Sequence, residues 1–559
     1  MSRNKRTSRR WLTAAVSLVL IATGVVGVGW FRNRTPSYRA ASAPSSTSST
    51  TSSTTTPPTS TTAPKPRLPA TWLGTSGVES RRVVDENARH GTTAWEIAPG
   101  AGTAISGFAN PGDAHTGQRV TLYVSTPAPR FRVEAYRMGY YAGAGARLVW
   151  RSGTMASKPQ PACPATPQTH MVSCDKWSPS LRIDITRAFV PGDYLLKLVG
   201  AGNQQSYVPL IVWDPSSHAA YLVKNDVYTW QAWNPYGGYD FYAGIGPCPP
   251  GVYPLCSRAR VVSFDRPYAY GSGAGDFLGN EYPLVRFAEK HGLDVTYATD
   301  LTVEQHPNVL LAHRALLSLG HDECWSLHER LAAVAAEAHG VNIAFFAASP
   351  MLRHVRMQAS PLGPGRQEVG YRDSGADPLD GHGDPREVTG NTWSSPPASW
   401  PEDSFVGATY SGYLTPGSTA DFVAADGSAW IFKNSGLTTG AVLPGLLRSD
   451  FDRLAIGPHP ANEQIFAHSP IPASATHRAA AGRVHSDMTY YTDPASGAGV
   501  FDSGTNDWIP ALGSYEACTT CLIDPVGVVT GNLLAVLGRA PAGRVQPSVA
   551  NWRTFYPGG

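Results

Sequence analysis

The chain has 559 residues, 42% of them hydrophobic, 10% aromatic and 16% charged, with a formal net charge of +3. That length allows two or three domains once tails are set aside. A balance so close to neutral excludes the broad basic face of a nucleic-acid binder. Much of the small excess is local, because Arg3, Lys5, Arg6, Arg9 and Arg10 all precede residue 11.

Residues 11–31 carry no charge. As a helix they would cover the ~30 Å hydrocarbon core of a bilayer. The run is longer than the core of a cleaved signal peptide, and a small-x-small site appears only at 41–43. With the basic tail 1–10 held in the cytoplasm, the segment reads as a single-pass signal anchor in the cell membrane, the body extracytoplasmic; a cleaved export signal is the alternative. Residues 32–69, dominated by Ser, Thr and Pro, cannot bury enough apolar surface to offset the entropy of ordering, so they read as a disordered linker.

The seven cysteines fit the same compartment. Cys163 with Cys174, Cys248 with Cys256, and the C-x-x-C pair Cys518 and Cys521 read as three local disulfides. No second pair has the spacing of a zinc site. Cys324 is left over.

Residues 70–214 alternate short period-two apolar runs with Gly/Pro turns, at 119–126, 131–136, 181–186, 192–199 and 207–213. The pattern predicts a β-sandwich, and it carries no catalytic cluster. From 219 to 545 the pattern changes. Residues 219–223, 259–264, 294–299, 315–319 and 342–347 read as strands, with helices at 282–291 and 327–338 closed by Gly292 and Gly340. Strand–helix–strand at this spacing predicts a parallel, doubly wound α/β sheet. Asp300, Glu323 and the Ala348-Ser349 turn would then lie at carboxyl ends of strands, where such folds bind ligands. Residues 360–480 read as a loop-rich cover over one end of the sheet, 498–501 as a late strand and 528–537 as a closing helix.

The densest chemistry is in Gly320-His-Asp-Glu-Cys-Trp-Ser326, between a buried strand and an amphipathic helix. Ionisable residues packed into such a turn are costly unless used or paired. His321, Asp322 and Glu323 are the candidate catalytic residues. Their plainer reading is as caps of a helix starting near Trp325, where acidic groups suit the dipole. Cys324 invites a nucleophile reading, against which a buried thiol is usually a small hydrophobe. The acidic run 377–384 matches no EF-hand spacing and reads as a solvated loop.

Four segments in order carry a family resemblance: 136–145 (YRMGYYAGAG), 229–238 (TWQAWNPYGG) followed by Tyr242, 320–326 with the flanking 295–300 and 344–346, and 500–508 (VFDSGTNDW). Together they resemble the large (β) subunit of N,N-dimethylformamidase and its relatives, over roughly residues 100 to 540. The resemblance implies a β-sandwich joined to an α/β domain akin to class I glutamine amidotransferases. It also implies hydrolysis of an amide C–N bond at a mononuclear iron held by two tyrosinates and a glutamate, with a histidine nearby. Residue by residue, it makes Glu323 the carboxylate ligand, His321 the adjacent acid/base, and Tyr242 a phenolate ligand, with Tyr239 as its alternative. The other tyrosine position falls on Trp233, and indole cannot ligate iron; Tyr228 and Tyr236 are the neighbouring phenols. The tyrosine after the glutamate is replaced by Cys324. The expected partners are the membrane and a small amide. The rival reading is a non-catalytic protein that binds envelope glycan or peptide at a degenerate site.

Overall fold

The computed structural model describes residues 79–558 apart from 247, 249–254, 456, 477–483, 518–523 and 540. The apolar run 11–31, its flanking tail and linker, and the Cys518–Cys521 pair lie outside the described residues. The architecture mixes helix and sheet, is rich in β-structure and holds several separate sheets.

The amino-terminal sheets face each other. One is built from Asp113–His115, Gln204–Trp213, Gly192–Gly200, Arg130–Met138 and Ala146–Arg151, with Met155–Ala156 paired at one side. The other is Ser106–Asn110, Arg119–Ser125 and Leu181–Asp184, all antiparallel. Val120, Leu122 and Ile183 of the smaller sheet share one core with Val133, Leu196 and Leu210 of the larger. This is the two-layer packing that period-two alternation predicts. The Cys163–Cys174 disulfide pins the excursion that precedes Leu181–Asp184.

The central sheet runs in the order Val295–Thr299, Tyr221–Asn225, Ala315–Ser318, Asn342–Phe345, Gly499–Asp502, Val484–Thr492 and Gln464–Ile471. The first five are parallel, and the last two join antiparallel. Successive residues of its strands enter different cores: Leu222, Leu316 and Ile343 one, Val223, Leu317 and Ala344 the other. Both faces are therefore covered, which explains why these strands read as continuous apolar runs. Helix Leu327–Ala338 lies in the first core, and Tyr282–Lys290 and Pro525–Leu537 in the second.

Tyr136, Met138 and Leu195 of the larger amino-terminal sheet also belong to this second core, so the sandwich packs directly on the α/β body. A buried ion pair locks the junction: Arg137 Nη2 lies 2.7 Å from Glu289 Oε1, and Tyr297 donates to the same oxygen at 2.6 Å. Glu289→Ala would leave the guanidinium buried without its counter-ion. We expect a loss of about 3–5 kcal/mol, read as a lower denaturant midpoint.

Three sequence expectations need correction. The 259–264 strand exists as Val261–Ser263, but it pairs antiparallel with Gly363–Val369, outside the parallel sheet. Its partner comes from a distant hairpin that no local pattern announces. Residues 360–480 are more than cover: Gly363–Val369, Ala408–Tyr413, Ala420–Val423, Val442–Leu447 and Asp450–Leu454 are strands of small sheets, and Gln464–Ile471 edges the central one. Gly and Pro around short, irregular strands hide the alternation there, and several pairings contain register shifts. Finally, Cys324–Ser326 is itself a short strand, parallel to the start of Arg353–Ser360. The helix is capped by the Ser326 side chain, which accepts from Glu329 N, so residues 321–323 are not its caps.

Candidate functional site

In chain order the five parallel strands stack 2-1-3-4-5. Connections therefore leave in opposite directions from the first strand, Tyr221–Asn225, and the third, Ala315–Ser318. The crevice at their carboxyl ends is where open α/β sheets bind ligands. Both segments that carry the chemistry, 226–242 and 319–323, emerge there.

Gly320 ends the third strand at φ +48, and a Cβ there would lie 2.3 Å from Asn280 O, so the tight turn requires glycine. The chain then runs extended. Thr229 Oγ1 accepts from both Glu323 N and Cys324 N at 3.0 Å, tying this segment to the helix Val227–Ala232. Extended backbone sends alternate side chains to opposite sides, and this separates the three candidates.

His321 and Glu323 go to one side and meet Tyr242, all of them about 5% exposed or less. His321 Nε2 lies 3.6 Å from Glu323 Oε2. The same oxygen accepts from the Tyr242 hydroxyl and from Trp233 Nε1, the latter at 3.1 Å. Arg353 Nε lies 3.0 Å from Oε1. Trp233 stacks on the Tyr242 ring at 3.6 Å. Tyr239 is packed elsewhere, against His170.

Charges follow from these contacts. Burial would raise Glu323, but Arg353, His321 and the Tyr242 hydroxyl hold it well below the usual carboxylate range. Burial opposes a charge on His321, yet Glu323, with Asp450 and Asp276, keeps the imidazole above its ordinary value. Burial and the Glu323 charge push the Tyr242 phenol well up, so it stays protonated and donates. Asp450 rises to about 7 and Asp276 to about 6, both through burial. Sequence reasoning missed Arg353, Asp450 and Asp276, which are brought in from other elements. Cys324 is buried, and burial together with Glu368 and Glu323 drives its thiol pKa far up; it is no activated nucleophile.

Asp322 goes to the other side, a correction to its grouping with His321 and Glu323. It accepts from Ser318 Oγ at 2.5 Å and lies 2.8 Å from Lys224 Nζ. Lys224 also pairs with Asp300, with Glu329 at 3.0 Å and with Asp226 at 3.3 Å, and all five side chains are fully buried. Asp300, expected at the ligand-binding edge, belongs to this internal cluster.

The residues around Glu323 do not fit the ferric ion that the resemblance implies. A hard ferric ion takes anionic oxygen donors. Here one carboxylate oxygen receives two protein donors and the other a guanidinium, the phenol keeps its proton, and the second phenolate position is an indole. Among the described residues, the carboxylates close enough to share an ion are Asp226, Asp300 and Asp322, where Lys224 already stands.

No curated protein matches the chain. Two solved structures share short stretches with it: an uncharacterized protein from Bacillus anthracis str. Ames, 16% identical over 19% of this chain and 82% of that one, with a TM-score of 0.13; and murine CEACAM1b, 12% identical over 22% and 62%, with a TM-score of 0.11. Likenesses this weak carry no argument. Residues 132–520, more than half of the chain, match the family described as N,N-dimethylformamidase beta subunit-like, C-terminal. That stretch contains the 136–145 and 229–242 segments, the 320–326 turn and the last strand of the parallel sheet, and the chain belongs to the N,N-dimethylformamidase beta subunit-like family.

Proposed function

We propose that the chain is an extracytoplasmic hydrolase of an amide C–N bond, with a β-sandwich over 70–214, an amidotransferase-like α/β body over 219–545 and a membrane anchor at 11–31. The observation that carries the reaction is the convergence of His321, Glu323 and Arg353 at the switch point of the parallel sheet. The Cys163–Cys174 and Cys248–Cys256 disulfides support the oxidising compartment.

His321 is the general base. It takes a proton from water, whose oxygen adds to the amide carbonyl carbon; the proton then passes to the leaving nitrogen as the C–N bond breaks. Glu323, ionised and held from four directions, orients the imidazole and stabilises its protonated form. Arg353, paired with its other oxygen, keeps Glu323 ionised.

The base must be neutral to act, and its pKa is raised. With a small-amide series and released amine as the readout, kcat/KM should rise with pH with a midpoint above 6.5. The stabilisation that His321 gains from this pairing runs the other way: it is complete below the ordinary histidine value and is lost as pH climbs through the raised one. A profile flat between pH 6 and 9 removes His321 from the base role. Glycan binding with no amine released from any amide would favour the rival, non-catalytic reading.

A further inference from the structure

The charge at the rim of the site points to what it binds. Arg353 uses Nε for Glu323 and Nη1 for Asn391, whose backbone and side-chain oxygens both lie at 3.0 Å. Its Nη2 has no hydrogen-bond partner among the described residues. Arg372 lies with its guanidinium carbon 4.7 Å from the Tyr242 ring centroid. Trp233 already covers one face of that ring at 3.6 Å, so Arg372 occupies the other. Arg372 spends one donor, Nη1 to Phe241 O at 3.3 Å, and its Nε and Nη2 are unpartnered among the described residues. The Arg353 side chain is mostly buried and Arg372 is partly exposed.

The surrounding charges sharpen the point. Burial and the neighbouring guanidiniums of Arg353 and Arg258 press Arg372 down to about 10, leaving it charged at neutral pH but starved of counter-ions. The anions nearby are few. Glu323 is taken up by Arg353, Trp233 and Tyr242, with the His321 imidazole beside it. Asp450 holds its proton to about pH 7. Asp276 acts on His321, and the exposed Asp373 acts on Arg258. Arg353 and Arg372 thus share a single carboxylate that is already satisfied, with Arg258 adding to the repulsion. A planar guanidinium with free, forked donors is the protein's preferred partner for a carboxylate.

We propose that the substrate is anionic: an amide that also carries a carboxylate, which Arg372 and Arg353 grip while the amide carbonyl lies against His321. This rests on the hydrolase reading above and deepens it. A neutral amide would leave the arginine fork with water alone. Attraction between these guanidiniums and an anion also weakens with added salt.

Binding and turnover separate the two claims. The probes are N-formylglycine and its neutral counterpart N-formylglycinamide, titrated calorimetrically into the full chain at low salt, with released formate measured in parallel. N-formylglycine is expected to bind at least tenfold more tightly, and the preference should shrink at high salt. In R372Q the preference should fall to near unity. In R372K, which keeps the charge and loses the fork, it should fall to an intermediate value. Equal affinities for the two probes, or a preference unchanged in both variants, overturns the proposal. Preferential binding of N-formylglycine with no formate released upholds the anion site and overturns the hydrolysis instead.

Discussion

Replacing Lys224 with methionine is expected to cost about 3–5 kcal/mol of folding free energy, a large part of the roughly 5–15 kcal/mol that holds a typical domain together. The side chain is fully buried, its ammonium set 2.8–3.3 Å from the carboxylates of Asp322, Glu329 and Asp226, hydrogen-bonded to Asp300 and 4.5 Å from the centroid of the Trp325 ring. One positive charge cannot neutralise four carboxylates in a medium that solvates none of them. Burial therefore raises Asp322 to about 6 and lifts Asp226 and Glu329 well above their ordinary values, against the pull of Lys224. Removing the ammonium removes that pull, and the carboxyls must take up more protons. The sign follows: an acid whose pKa is raised on folding contributes its stability at low pH and loses it as pH climbs. Denaturant midpoints of Lys224→Met should fall furthest below wild type near pH 8 and recover toward pH 5. An equal deficit at both pH values would mean that packing, rather than charge, is what Lys224 supplies.

Glu323→Gln is expected to lower kcat/KM by about a hundredfold or more on any amide the chain hydrolyses. The glutamine keeps the shape of the carboxylate and discards its charge. Arg353 and His321 lose the anion that both lean on, and the imidazole keeps only the pull of Asp450 and Asp276 against burial, which opposes its protonation. The pH midpoint of kcat/KM should therefore move downward along with the loss in rate. That shift is a readout a merely structural role would not produce. Iron bound one to one in wild type and lost in this variant would instead restore the metal reading.

Where local pattern and fold agreed, the agreement has a cause. The run 315–319 is apolar because both faces of its strand are buried, so it reads as a strand without help from its neighbours. Helix Leu327–Ala338 keeps its apolar stripe for the same core, and Gly320 marks a turn that only glycine fits. These features made the position of the candidate site legible, together with His321 and Glu323 beyond the end of its strand. The family motif added Tyr242, which lies far away in sequence.

The sequence by itself determined the strands with continuous burial, the sandwich alternation, two of the cysteine pairings and the segment that carries the chemistry. Each of these depends on local periodicity or short spacing. Only the tertiary structure decided which charges share a space. Alternation along the extended 321–323 segment sends Asp322 to Lys224 and leaves its two neighbours with Arg353, a division that depends on a backbone angle set by the pairing of Cys324–Ser326 with a strand some thirty residues on. Arg372 and Asp450 come from the region that read as loop, and Arg353 from just before it; their contacts are long-range and leave no periodic trace.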